Sequence, residues 1–134
     1  MRDHFELIVF TASIAPYADA VVKELDPESK YISYVLDRSY CLETKNRFHI
    51  KDLRIIKNRD LKNMIIVDNL IHSFGFQIDN GVPILDWRGD RNDQELKFLM
   101  KYLLEAKQYD DVREYNRVKL KLSELANYTL EEAN

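Results

Sequence analysis

The chain has 134 residues, of which 46% are apolar and 32% charged, and its formal net charge is −3. This length allows one compact core, and the apolar content argues against a disordered chain. The acidic balance gives no electrostatic reason to expect nucleic-acid binding, no apolar run is long enough for a membrane span, and no secretory signal pattern is visible. The single cysteine, Cys41, excludes an internal disulfide and fits an intracellular, reducing compartment. Nucleus, cytoplasm and mitochondrion all stay open.

The N-terminal third of the chain has the pattern of a strand, a helix and a second strand. An apolar run predicts a strand over Phe5–Phe10, which exits into Thr11. Ser13 is the predicted cap of a helix that has Pro16 in its first turn, where a missing N–H does no harm. The predicted apolar stripe of that helix consists of Ala18, Val21, Val22 and Leu25.

The following segment is predicted to be mostly extended. Tyr31–Leu36 reads as a strand, and Tyr40–Ile50 as two short extended segments that turn at 44–46. A short irregular or helical piece then opens at Lys51.

The stretch with the strongest strand signal is Asn63–Val67. Its continuous Ile- and Val-rich run predicts a strand buried on both faces, as in a parallel sheet flanked by helices. Functional residues in such sheets lie beyond the carboxyl ends of the strands. We therefore expect Asp68 and Asn69 to share one candidate pocket with Thr11.

The chemistry of that pocket points to a hard cation. A carboxylate and an amide at the end of a buried strand are costly to desolvate without a partner, and oxygen ligands suit Mg²⁺. The histidines lack the spacing of a zinc site: His4, His49 and His72. Two alternatives stay open, because Thr11 could simply cap a turn and Lys51 could be a surface lysine.

The C-terminal half is predicted to contain a loop and turn over Ser73–Gly81, a last strand over Val82–Leu85, and two helices. Asp93 is the predicted cap of the first helix. The second helix is more polar and is expected to pack weakly or to bind something else. We predict one domain, 1–134, in which 107–134 is a C-terminal helical tail.

Five segments, taken together, resemble one known family. They are FELIVFTASIAPYAD, HIKDL, RDLKNMIIVDN, NGVPILDW and the DDV near Asp110. Together these segments resemble the C-terminal-domain phosphatases (FCP-homology or NLI-interacting-factor-like domains) of the haloacid-dehalogenase superfamily. The resemblance covers roughly Phe5 to Val112. It implies a Rossmann-like α/β fold, with a parallel sheet and flanking helices, and Mg²⁺-dependent protein Ser/Thr phosphatase activity through an aspartyl phosphate.

The resemblance also implies roles for individual residues. Thr11 matches the motif whose hydroxyl and neighbouring amides hold the transferring phosphoryl group. Lys51 matches the cation that neutralises phosphoryl oxygens, which suits a reaction that depends on charge stabilisation and positioning. Asn69 matches the direct Mg²⁺ ligand, and Asp68 the carboxylate that orients water or lysine beside it. Two weaker matches border the substrate: Arg38, facing its phosphate, and Tyr17, beside the peptide groove.

One motif of the family is missing. Its Asp-x-Asp-x-Thr supplies the nucleophile and the general acid/base, and the acids before Thr11 are only Asp3 and Glu6, neither of which ends an apolar strand. The fold is therefore expected to be truncated at its N-terminus, without the first central strand. The chain is then a fragment, is completed by another polypeptide, or closes the gap by pairing its own strands.

Two functional hypotheses follow. In the first, the chain is the C-terminal portion of a Mg²⁺-dependent protein Ser/Thr phosphatase domain, inactive alone, which acts on a phosphoprotein once an upstream segment or a partner chain completes the sheet. In the second, it is a non-catalytic, phosphatase-like scaffold or interaction subunit of a larger assembly, by analogy a mitochondrial one. Whether the chain is an enzyme is left open by the sequence.

Overall fold

The computed structural model describes the backbone of residues 1–132 and the side chains of residues 1–127. The chain divides into two compact units, residues 1–51 and residues 52 onward. Each unit contains a pair of parallel strands together with helices, so the predicted α/β class is confirmed. The expectation of one domain with a helical tail stays a prediction. No helix in the described part of the chain is long and apolar enough to cross a membrane.

The first unit begins with a strand–helix–strand crossover. Strand β1 (Leu7–Phe10) and strand β2 (Ile32–Leu36) pair in parallel, and helix α1 (Ala15–Leu25) connects them. A short antiparallel pair follows, formed by β3 (Leu42–Glu43) and β4 (His49–Ile50). These elements match the prediction, except that both long strands begin later than the apolar pattern indicates.

The start of α1 differs from the prediction. Its N-cap is Ile14, which has no side-chain cap, and Ser13 instead donates its N–H to Thr11 Oγ1 at 3.1 Å. Ser13 is therefore part of the loop that leaves β1, because the Thr11 hydroxyl holds its backbone there. Pro16 lies in the first turn, as predicted. The predicted stripe is only partly buried, with Ala18 at 3% exposure and Leu25 at 68%.

A buried carboxylate joins the end of α1 to the start of β2. Asp26 accepts the backbone N–H groups of Lys30, Tyr31 and Ile32 at 2.8, 2.9 and 2.8 Å. These bonds, the one from Ile32 first, hold the pKa of Asp26 below its ordinary value because they stabilise the ionised form. The crossover is thus closed by an ionised side chain.

Strand β1 is incompletely covered. All four of its residues are half-buried, and within the described residues of its sheet its one strand neighbour is β2. Its second edge therefore presents backbone N–H and C=O groups that no ladder of this unit satisfies.

The second unit contains strand β5 (Ile66–Asp68) in parallel with strand β6 (Gly81–Pro83). A loop and turn were predicted between these strands over Ser73–Gly81, and the structure instead forms consecutive 3₁₀ turns over Ile71–Asn80. The strand predicted over Asn63–Val67 begins three residues later, because Leu61–Asn63 forms a 3₁₀ turn.

Burial of β5 also differs from the prediction. Ile66 and Asp68 are 7% and 6% exposed, whereas Val67 between them is 36% exposed. The strand is therefore buried on one face, and the expectation of burial on both faces is wrong. A strand in a two-stranded sheet presents alternate residues to opposite sides, and only one side is covered here.

The core of this unit is built around Phe74, which is fully buried against Leu53 and Ile66. Asn80 is buried beside it and donates its amide to the carbonyl groups of Leu61 and Met64 at 2.6 and 2.8 Å. These two bonds hold the turn that precedes β5, so the polar side chain is satisfied inside the core.

Three helices complete the second unit: α2 (Glu95–Ala106), α3 (Val112–Lys119) and α4 (Leu122–Glu132). The observed N-cap of α2 is Gln94, one residue after the predicted cap Asp93. The carboxylate of Asp93 accepts the N–H of Glu95 at 2.8 Å. The tail was predicted as one helix that packs weakly or binds something else. It is two helices, since Lys121 has a left-handed φ of 54°, and Val112 and Tyr115 are buried.

Candidate functional site

The loop that leaves β1 is held at the carboxyl end of the first parallel pair. Thr11 donates its N–H to Leu36 O at 2.8 Å, which continues the ladder one residue beyond β1. Its hydroxyl oxygen accepts the N–H of Ser13, and Cys41 donates its thiol to Thr11 O at 3.7 Å. Thr11 therefore lies at a strand exit with its side chain oriented by its own loop.

The turn that follows β2 meets this loop through Arg38. The backbone N–H of Arg38 donates to Ser13 O at 2.9 Å, and its Nε donates to Ala12 O at 2.6 Å. The guanidinium is thus anchored by its inner nitrogen, while its two terminal nitrogens carry four further N–H donors. An exposed guanidinium anchored in this way is suited to binding a phosphate.

Asp37 shapes the turn that presents Arg38. Its Oδ1 accepts both the hydroxyl and the N–H of Ser39, at 2.7 and 2.8 Å. These bonds, the hydroxyl one first, lower the pKa of Asp37 from its ordinary value. The carboxylate is thereby turned toward its own loop.

The other two predicted residues of this unit lie on α1 and after β4. Tyr17 is on the first half of α1, and its side chain is 63% exposed, as a residue bordering a groove would be. Lys51 directly follows β4 and is half-buried. The structure therefore brings Thr11 and Arg38 together within the unit, through hydrogen bonds between their loops.

In the second unit, Asp68 ends β5 and Asn69 begins the loop beyond it. Asp68 is buried, and its Oδ1 accepts the N–H of Leu70 at 2.9 Å. This bond closes a tight turn, so that Asn69 is presented at the strand exit. The two residues lie at the carboxyl end of the parallel pair, where the sequence predicts a site.

Asp86 is a further residue at this strand exit, and the sequence analysis missed it. Asn69 donates its Nδ2 to Asp86 Oδ1 at 2.8 Å. Asp86 follows the strand predicted over Val82–Leu85, as Asp68 follows its own strand. The criterion that selected Thr11 and Asp68, a polar side chain just after a strand, would have selected Asp86 as well.

The oxygen atoms at this end of β5 fit a magnesium ion chemically. Asn69 contributes a carboxamide oxygen, and Asp68 contributes carboxylate oxygens, which are the hard ligands that Mg²⁺ prefers. Mg²⁺ is usually held by only one or two protein carboxylates together with waters and substrate phosphate. Across the described residues no cluster of three or more His, Cys, Asp or Glu side chains has the geometry of a metal site. Asp68 and Asn69 would therefore form part of such a site.

Comparison with known proteins identifies similar sequences. The model of the family "NLI interacting factor-like phosphatase" matches residues 1–113. The chain is 44% identical over 125 residues to CTD small phosphatase-like protein 2 of Dictyostelium discoideum, covering 93% of this chain and 22% of that protein. It is 35% identical over 112 residues to human carboxy-terminal domain RNA polymerase II polypeptide A small phosphatase 1, covering 84% of this chain and 42% of that protein.

A third relative is named as a translocase subunit and not as a phosphatase. The mitochondrial import inner membrane translocase subunit TIM50 of Candida glabrata is 32% identical over 115 residues, covering 84% of this chain and 23% of that protein. The chain thus spans between about a fifth and two fifths of the length of these relatives.

Proposed function

Because the chain belongs to the NLI interacting factor-like phosphatase family, we propose that it is the phosphate- and metal-binding part of a Mg²⁺-dependent protein Ser/Thr phosphatase domain. Its 134 residues contain no Asp-x-Asp-x-Thr motif. The nucleophile then comes from a polypeptide segment outside them, which supplies the first central strand. The chain by itself is inactive.

The observation that carries this proposal is the hydrogen-bonded pair of loops at the carboxyl ends of β1 and β2. Arg38 is anchored to the carbonyl groups of Ala12 and Ser13, one and two residues beyond Thr11. A hydroxyl and a guanidinium presented by adjacent loops are a suitable pair for phosphoryl oxygens.

The proposed roles follow from the negative charge of the phosphoryl group that is transferred. The supplied carboxylate attacks phosphorus, the Ser or Thr oxygen of the substrate leaves with a proton from the second acid of the missing motif, and water then hydrolyses the aspartyl phosphate. Thr11, Arg38 and Lys51 hold and neutralise the phosphoryl oxygens. Asn69 and Asp68 would hold Mg²⁺, which supplies further neutralisation of the same oxygens when bound.

The open edge of β1 supports the need for a supplied strand. Each buried N–H or C=O group without a partner costs about 1–3 kcal/mol. All four residues of β1 are half-buried, and β2 satisfies one of its edges. A strand added along the other edge would satisfy these groups and bring the missing acids to the carboxyl end of the sheet.

A second candidate function is a non-catalytic scaffold or interaction subunit. Two observations favour it, the absence of the nucleophile motif and the similarity to a translocase subunit. In this case the open edge of β1 binds a partner chain, and no reaction is catalysed. Size-exclusion chromatography with light scattering on the 134-residue chain tests this, because a stable monomer would speak against an obligate partner.

The relatives named for RNA polymerase II and for mitochondrial import are both named for machinery inside the cell. We propose an intracellular location and a protein partner or phosphoprotein substrate on the same basis.

The phosphatase proposal is tested with a joined protein, in which a segment carrying the Asp-x-Asp-x-Thr motif precedes residue 1. We expect it to release phosphate from a phosphoserine peptide only with Mg²⁺ present, whereas the 134-residue chain alone does not. Lys51→Ala should lower kcat by about 10²–10³-fold, because it removes a charge that stabilises the transition state. Asn69→Ala should raise the Mg²⁺ concentration that half-maximal activity requires.

A matched control is Glu124→Ala, which removes an exposed carboxylate from α4. It should leave turnover and Mg²⁺ dependence unchanged. A joined protein that folds but shows no turnover, or one whose turnover is indifferent to Asn69→Ala, contradicts the phosphatase proposal.

A further inference from the structure

We propose that Asp86 is a positioning residue for the metal, which holds the carboxamide of Asn69 so that its Oδ1 faces the cation. This inference rests on the proposed function, since it assigns Asn69 as a Mg²⁺ ligand. It adds a residue, Asp86, to which the family resemblance assigns no role. The observation behind it is the 2.8 Å hydrogen bond from Asn69 Nδ2 to Asp86 Oδ1.

An asparagine that serves as a metal ligand needs its orientation fixed. The torsion that turns a carboxamide is broad and roughly two-fold, so the oxygen and nitrogen can exchange places. Asn69 is exposed, and surrounding side chains therefore do not fix that torsion by packing. A directional hydrogen bond is the remaining means of selecting one orientation.

Asp86 selects the correct orientation because it offers Asn69 a hydrogen-bond acceptor. An ionised carboxylate can only accept hydrogen bonds. It therefore attracts the NH₂ of Asn69 and repels the carboxamide oxygen, which is left on the opposite side of the group. A charge-assisted bond of this kind is stronger than a neutral one, so the preference holds even at an exposed position.

Both side chains start from fixed backbone positions. Ile84 donates its N–H to Asp68 O at 3.1 Å, which extends the β5–β6 ladder to within two residues of Asp86. The turn that presents Asn69 is closed by the bond from Leu70 N to Asp68 Oδ1. On the far side of Asp86, Trp87 donates its indole N–H to Asp90 O at 3.1 Å. The two strand exits are thus held next to each other before any ion binds.

Replacement by asparagine separates positioning from charge. Asp86→Asn can still accept the Nδ2 bond through its own carboxamide oxygen but carries no charge. Asp86→Ala removes both the acceptor and the charge. If Asp86 acts by positioning Asn69, the asparagine variant should behave much like the original protein, whereas a direct carboxylate ligand would be impaired by both substitutions.

The first measurement follows the Asn69 side-chain amide by NMR in the 134-residue chain without metal. We expect one of its two NH₂ protons to resonate downfield, as a proton bonded to a carboxylate does. This shift should disappear in Asp86→Ala and persist in Asp86→Asn. Identical chemical shifts of the Asn69 NH₂ protons in the unaltered chain and in Asp86→Ala would overturn the inference, independently of any result on metal binding.

The second measurement is calorimetric titration of the joined protein with Mg²⁺. Partners that orient a ligand typically contribute 10–100-fold to metal affinity, so Asp86→Ala should weaken Mg²⁺ binding by about that factor and Asp86→Asn by less than about threefold. Glu124→Ala, the charge-matched control, should not change the affinity.

The outcomes separate this inference from the proposed function. If Asn69→Ala weakens Mg²⁺ binding but Asp86→Ala does not, the inference is overturned and the proposed function stands. If Asp86→Asn weakens binding as much as Asp86→Ala, the carboxylate acts by its charge and the positioning role is wrong. If Asn69→Ala has no effect or the joined protein does not bind Mg²⁺, the metal role fails and the inference fails with it.

Discussion

At the scale of single residues, the recurring device of this chain is an aspartate that accepts the backbone N–H two residues ahead. The bond closes the turns at Asp37, Asp52, Asp60, Asp68, Asp90, Asp93 and Asp111. Short polar side chains at the starts of turns and helices are a sequence signal for this geometry. The same signal explains why the structure contains more short turns than the apolar pattern alone predicts.

Two of these aspartates also bind an arginine two residues ahead. Asp52 and Arg54 form a two-pronged pair, with Nε to Oδ1 at 2.9 Å and the terminal nitrogen to Oδ2 at 2.8 Å, and Asp111 and Arg113 repeat both distances. The arginine side-chain bond is the main cause that lowers the pKa of each aspartate. The aspartate of an Asp-x-Arg sequence is thus the N-cap of both the 3₁₀ turn Leu53–Ile55 and helix α3.

Acid should destabilise the chain through these carboxylates. Folding lowers the pKa of Asp26, Asp52 and Asp111, so the stabilisation is present above their unfolded pKa values and is lost as the pH falls through the folded ones. We expect the melting temperature to fall as the pH is lowered below about 4. Differential scanning calorimetry across this range measures it.

Asp26→Asn isolates one contribution to that pH dependence. It keeps one acceptor oxygen but cannot titrate, so its melting temperature should be lower at neutral pH and should fall less steeply in acid. Glu124→Gln serves as the control and should retain the original slope. A curve for Asp26→Asn that parallels the unaltered chain would show that Asp26 does not contribute to the acid sensitivity.

At the scale of elements, strands were identified more reliably than their bounds and burial. The apolar runs located β1, β2, β5 and β6. The β1–β2 and β5–β6 pairs are both parallel, which is the pairing that those runs favour. Periodicity carries no information on Asp side-chain turns, however, and so Asn63 was assigned to a strand although it ends a 3₁₀ turn. The break at Lys121 was missed because its left-handed φ lies at a lysine rather than a glycine.

The packing of β6 against the core depends on a glycine. A Cβ built on Gly81 would overlap the ring of Phe74, which is fully buried. We therefore expect Gly81→Ala to lower the free energy of unfolding by about 1–3 kcal/mol, the usual cost of overpacking. Urea unfolding measures it.

Gly75→Ala is the matched control for this change, since a Cβ there meets no atom within 4 Å. It should have a smaller effect on stability. Phe74→Leu combined with Gly81→Ala should cost less than the sum of the two single changes, because the smaller side chain relieves the overlap. Strict additivity would contradict the proposed contact.

At the scale of the whole molecule, the family was predictable because its motif blocks stand in order along the chain. The confirmed expectations are the α/β class and the family itself. Asp86 was not predicted, because the exits of Phe5–Phe10 and Asn63–Val67 were considered and the exit of Val82–Leu85 was not. The individual roles of Thr11, Lys51, Asn69 and their neighbours remain proposals, because a role depends on a bound ion and a substrate that a sequence does not contain.

The central claim is the proposal that this chain supplies both phosphate-binding and metal-binding residues to one phosphatase reaction. If so, inorganic phosphate and Mg²⁺ must affect each other's binding by the same factor. Calorimetric titration of the joined protein with Mg²⁺, with and without phosphate, measures that factor. We expect phosphate to tighten Mg²⁺ binding at least about tenfold, an effect lost in Thr11→Val. Equal Mg²⁺ affinity with and without bound phosphate would contradict the account.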